Sequence, residues 1–116
     1  MSEPEIILLD EVPPPDDLCP KGRIIDYYKI GNDLLKRKIL QQGHEKPIGF
    51  FCDMLDTHKV FHEKNEKLIK KYGSGRQKRK MQKSLDDTVK LLDQWSRDYF
   101  GVDLDHVKSL GVDIPD

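Results

Sequence analysis

Apolar residues recur at helical spacing through most of this chain, and most regularly between Arg76 and Phe100. There Met81, Leu85, Thr88, Leu92, Trp95 and Tyr99 alternate steps of four and three, the seam of an amphipathic helix. Val89 and Leu91 flank the seam, and Phe100 widens its end. The first turns of the same helix are strongly basic, with Arg76, Lys78, Arg79, Lys80 and Lys83. A stripe of this length needs partners from the rest of the chain.

Two upstream segments supply them. From about Arg23 to Gln42, Ile24, Tyr28, Leu35 and Ile39 share one face, with Tyr27, Leu34 and Leu40 beside it. Gly43 stands where a helix C-cap is expected. Gly31-Asn32 interrupts good helix formers, so a bend or break is expected there, with Asn32 or Asp33 capping a second piece. A second helix is predicted from Pro47, a favoured first-turn residue, to Tyr72. Its seam runs through Phe51, Met54, His58, Phe61, Asn65, Leu68 and Tyr72, with Phe50, Leu55 and Ile69 adjacent. His58 and Asn65 are polar occupants of that seam. The short link Gly73-Ser74-Gly75 predicts that the second and third helices form an antiparallel hairpin. Beyond Gly101, Asp103 is placed to cap a short fourth helix from Leu104 to Leu110, ended by Gly111.

Residues 1–22 follow no such pattern. Pro4, Pro13-Pro14-Pro15, Asp16-Asp17 and Pro20 forbid a stable helix and disfavour a central strand. The expected organisation is an extended acidic, proline-rich tail at 1–22, a helical bundle at 23–112 and a C-terminal tail at 113–116. The fold class is all-α, an antiparallel three- to four-helix bundle with an extended N-terminal tail. Pro115-Asp116 ends the sequence abruptly, as a piece of a longer protein would.

Composition narrows the class. A chain of 116 residues suits one core, and 35% charged against 36% hydrophobic residues keeps that core modest. The net charge of -1 conceals a segregation by position. Every charged side chain from Met1 to Pro20 is acidic, and every one from Lys67 to Lys83 is basic. Nothing approaches the roughly 18 consecutive apolar residues of a membrane span, so no membrane role is expected. No secretory signal is visible. Cys19 and Cys52 are too few for a disulfide framework, and a reducing compartment follows. A nuclear location is expected, with the cytoplasm as the alternative.

Within the tail lies an apolar island, Ile6-Ile7-Leu8-Leu9, preceded by Glu3 and Glu5 and followed by Asp10 and Glu11. Such a run can add itself as a strand to a partner's sheet edge while its carboxylates meet a basic rim. Glu5 to Glu11 resembles a SUMO-interacting motif, which implies a SUMO-like protein as partner through residues 5–11. The competing expectation is that the island folds back onto the bundle. A small helical bundle beside such a motif is also similar in plan to the helical-bundle module of Daxx-type nuclear corepressors, although here the motif is N-terminal.

The basic run offers a second surface. Lys70, Lys71, Arg76, Lys78, Arg79 and Lys80 bracket the hairpin turn and are candidates for phosphate contacts with nucleic acid. Arg76-Gln77-Lys78-Arg79-Lys80 also resembles a nuclear localisation segment. Base-reading aromatic residues are not interleaved with these charges, which counts against sequence-specific recognition.

Chemistry at a site has less support. His58 and His62 lie one turn apart with Cys52 near in sequence, but zinc needs three or four converging ligands, and neither a Cys-x-x-Cys nor a His-Glu-x-x-His is present. No metal or cofactor is expected. Phosphate loops and nucleophile elbows are also missing, and Asp86, Asp87 and Asp93 read as solvating charges, so no catalytic residue is assigned. Trp95, Tyr99 and Phe100 are expected in the core; the sharper expectation is a peptide groove bordered by Tyr27, Tyr28 and the last helix. The expected function is therefore a non-enzymatic adaptor, its bundle holding one protein and its tail another. The alternative is a nucleic-acid-binding bundle using the basic turn, and homodimerisation through the heptad faces is a further possibility.

Overall fold

The computed structural model describes residues 7–72 and 75–114 and is all-α, with four helices. A 3-10 turn at Lys21–Arg23 leads into α1 (Ile24–Lys36). The long helices α2 (Glu45–Tyr72) and α3 (Gly75–Trp95) follow, then a π-helical turn at Ser96–Phe100 and the short α4 (Leu104–Ser109). Helices α2 and α3 form the expected antiparallel hairpin, because Trp95 at the end of α3 donates its indole N–H to the Pro47 carbonyl at the start of α2, at 3.1 Å. At about 1.5 Å per residue, α2 alone spans roughly 42 Å, which accounts for most of the 56 Å long axis.

The core occupies only the base of the hairpin. Tyr27, Ile30 and Leu34 of α1 meet Ile48, Phe51 and Leu55 of α2, and Leu92, Phe100 and Val107 close the other side. The Phe51 and Phe100 rings pack edge to face, 5.3 Å apart. Buried Arg23 ties the chain's distant segments together. It donates to Asp26 at 2.9 Å and to the Asp113 carbonyl at 2.7 Å, and lies 3.9 Å from Asp56 of α2.

Helix α1 departs from expectation twice. It runs unbroken through Gly31-Asn32, and it stops at Lys36 instead of reaching Gln42. Gly31 is small for a different reason: a Cβ there would meet Val12 Cγ1 at 2.6 Å, so the position is kept bare for the N-terminal segment. The early stop is a Schellman closure without glycine. Lys38 takes the left-handed conformation (φ 61°), its N–H donates to the Leu35 carbonyl, and the Ile39 N–H donates to that of Leu34. Gly43 therefore turns the chain toward α2 (φ 94°) and does not cap α1.

The tail is extended, and its described part lies along the bundle. Leu9 N–H donates to the Leu40 carbonyl at 2.9 Å, Gln42 N–H donates to that of Ile7 at 2.8 Å, and Leu8 forms an antiparallel bridge with Gln41. Leu9 and Val12 pack on the core, Cys19 is buried, and the Tyr27 hydroxyl donates to the Pro13 carbonyl at 2.8 Å. Folding back wins because these three apolar side chains give an acidic, proline-rich segment one dry underside.

Helix ends elsewhere follow their capping residues. Gly101 (φ 71°) stops the π turn, and the Asp103 carboxylate accepts from His106 N–H at 2.9 Å to cap α4. Asp93 is not merely a solvating charge. It accepts from the Leu104 N–H and from Arg97, at 2.9 and 2.8 Å, and these bonds hold its carboxyl below the usual range.

Candidate functional site

The hairpin has a closed side and an open side. At about 100° per residue, Gly49, Cys52, Asp56 and Lys59 share one flank of α2, and that flank is covered. Gly49 abuts Asp16 and Cys19, Asp56 faces Arg23, and Lys59 lies 3.4 Å from Asp113. The opposite flank carries Phe50, Met54, Thr57, Phe61 and Leu68, and α3 faces it with Thr88, Leu91, Trp95 and, past the π turn, Tyr99. No described helix or tail segment packs across that flank beyond Leu18 at its base. Leu91 is 57% exposed, Phe61 44% and Tyr99 47%, large values for apolar or aromatic side chains in a seam.

Two depressions lie along this face. The one at the base, about 270 Å³, is lined by Leu18, Lys46, Pro47, Phe50, Trp95 and Tyr99. Its wall is a stack of rings: Phe50 to Trp95 at 5.0 Å and Trp95 to Tyr99 at 4.4 Å. The second, about 190 Å³, sits between Asp53, Met54, Thr57, Thr88, Leu91 and Leu92. The π turn separates the fates of the aromatic cluster. Ser96 and Phe100, one residue past Trp95 and Tyr99, point into the core, while Trp95 is half-buried against it and Tyr99 stays at the surface. Such widened turns often accompany functional sites.

This corrects the expected groove in its borders. Tyr27 is fully buried in the core, with Tyr28 edge-on to it at 5.3 Å, so neither borders the groove. The walls come instead from Leu18, Pro47 and Phe50, which the heptad pattern alone could not distinguish from core. The alternation of exposed and buried positions in α2 was the available signal: Phe50 and Phe51 are neighbours and cannot face the same way.

The tail residues singled out by sequence are brought to a different place. Ile6 lies outside the described residues. Ile7 and Leu8 remain 49% and 57% exposed, Leu9 packs inward, and Asp10 and Glu11 face solvent. One edge of this short strand is taken by residues 40–42; the Leu8 N–H and C=O belong to its other edge. The basic candidates Lys70, Lys71, Arg76, Lys78, Arg79 and Lys80 are all exposed and gather at the hairpin tip, far from the tail.

His58, His62 and Cys52 do not converge. His58 is buried in the seam with its ring 6.2 Å from that of His62, and His62 reaches Glu66 at 3.7 Å. Cys52 turns instead toward Cys19 beneath the tail, and burial is the main cause that pushes both thiols above their ordinary range. Among the described residues, no group of three His, Cys, Asp or Glu could hold a metal ion, and no helix is long and apolar enough to cross a membrane. Comparison with protein-family models, curated proteins and solved structures finds no match to this chain.

Proposed function

We propose that this chain is a non-enzymatic protein-interaction adaptor, and that the open face of the α2–α3 hairpin is its principal docking surface. The observation that carries this is the row of half-exposed apolar side chains on one face of a hairpin whose other face is covered at its base by the tail and Arg23. Two antiparallel helices with a greasy groove between them are one half of a bundle, and helical segments from another molecule complete it by laying an apolar stripe into the groove. A photocrosslinking residue at Leu91 tests this, with Ile25, exposed on α1, as the control position. Adducts to a helical segment of another polypeptide at Leu91 alone are the expected result. Equal yields at both positions, or none at Leu91, would discard the groove as a docking surface.

The tail supplies the second contact of the adaptor. Ile7 and Leu8 are exposed beside Asp10 and Glu11 in a segment that is already extended, so less ordering entropy opposes strand addition to a partner's sheet. Together with the resemblance to a SUMO-interacting motif, this supports recruitment of a SUMO-like protein and fits a nuclear setting. In an NMR titration with such a protein, amide shifts should concentrate at residues 5–11 and vanish in the Ile6→Ala, Leu8→Ala variant. Shifts elsewhere only would remove this half of the proposal.

A further inference from the structure

Charge is distributed unevenly along the open face. Toward the hairpin tip its rims are basic: Lys64 on α2, and Arg76, Lys80 and Lys83 on α3, spaced by four and three so that they share the solvent side of that helix. Toward the base the balance reverses. Asp53 lines the second depression, Asp87 and Asp98 are exposed on the α3 side, and Lys46 is the cation among them. A surface with this gradient repels a uniformly charged occupant at one end or the other. It is complementary to its own image run backwards.

Resting on the reading of this face as a docking surface, we infer that its occupant is a second copy of the chain, stacked face to face and antiparallel about a two-fold axis. Such an isologous contact pairs each residue with a partner whose own pairing is the reverse. With the axis near the middle of the groove, Phe50 of one copy lies over Leu68 of the other, Thr57 over Phe61, and Leu91 over Met81. The basic tip rims then meet the acidic base rims twice, at both ends. The result is a four-helix core formed from two hairpins, each closed on its outer side by its own α1, α4 and tail. The apolar row from Phe50 to Leu68 is roughly 27 Å long, and a hairpin is about 20 Å wide. Their product is near 500 Å² per copy, at the lower bound of about 1,000 Å² in total for a specific interface. A reversible, concentration-dependent dimer follows.

Sedimentation velocity of the full chain tests this, with mass rising from 13.5 kDa toward twice that value as concentration increases. Two charge-reversed variants sharpen it. Lys64→Glu with Arg76→Glu, Lys80→Glu and Lys83→Glu makes both ends acidic, and Asp53→Lys with Asp98→Lys makes both ends basic. Each variant alone should stay monomeric with unchanged helical circular dichroism, and an equimolar mixture should recover the doubled mass. Mixing that restores nothing, or variants that dimerise alone, overturns the antiparallel pairing. A wild-type chain that remains monomeric while Leu91 crosslinks to a different protein overturns the second copy and leaves the docking surface standing. A monomer that instead binds duplex DNA with a steep log-linear salt dependence assigns the basic rim to phosphate and also overturns the inference.

Discussion

The two halves of the α2–α3 hairpin have the same helices and seam pattern but different surroundings. At the base, α1, α4 and the tail complete the burial that α2 and α3 begin, so Phe51, Leu55 and Leu92 are fully enclosed. Past His58 each helix has chiefly the other, and among the described residues the buried positions thin to Asn65 and Leu85. The contrast shows that a heptad seam fixes which side chains can face a neighbour, while tertiary layers decide how much water that neighbour removes. It also underlies the proposed docking surface: the base is enclosed, and the flank beyond it is left open.

Substitution at equivalent seam positions should break the symmetry most clearly. Phe51→Ala is expected to cost about 3–5 kcal/mol, whereas Phe61→Ala should cost under about 1 kcal/mol in urea unfolding, because only the first removes an enclosed ring. Equal losses would mean that the distal half is as well packed as the base. Next comes Gly31→Ala, where the added methyl collides with Val12. Overpacking of about 1–3 kcal/mol is partly offset by about 1 kcal/mol of helix propensity. Its signature is loss of hydrogen-exchange protection at the Leu9 amide with α1 intact.

The distal half can be strengthened. Asn65 is buried with no hydrogen-bond partner for its amide nitrogen among the described residues, so Asn65→Leu should stabilise by about 1 kcal/mol and slow exchange in the neighbouring turns. Lys38→Gly should add roughly 0.5–1 kcal/mol by relieving the left-handed closure of α1, measured as a shift in urea midpoint. The smallest effect is a pH dependence at the turn joining tail and base. His44 Nδ1 accepts from the Gln41 N–H at 2.9 Å, and burial lowers its pKa from the ordinary 6.5. A lowered folded value means the unfolded chain binds the proton more readily, so the contribution to stability is full above the ordinary 6.5 and is lost as pH falls from there toward the lowered folded value. His44→Gln should flatten that part of the profile.

Much of this fold was legible in the sequence. The hairpin, the glycine stop at Gly101 and the Asp103 cap each rest on a local rule, and each stands within a residue or two. What was hidden depended on distant neighbours. Gly31 reads as a helix breaker until Val12 is placed against it, and Lys38 carries no sign of a left-handed turn. The tail's underside is three apolar residues among prolines and acids, too sparse for any periodicity. The open face was half visible: the apolar stripes of α2 and α3 were plain, but which flank α1 and the tail would cover could not be read from either stripe.

Arg23 has a consequence for the order of synthesis. Its buried guanidinium donates to Asp26, close in sequence, and to the Asp113 carbonyl, 90 residues later. During vectorial synthesis the hairpin can form as soon as α3 emerges, since its contacts are already present. The base cannot seal around Arg23 until residues 112–114 have cleared the ribosome. The hairpin, open flank included, is thus presented to the surrounding solution before the base is sealed, and a docking partner could meet it while translation is still under way.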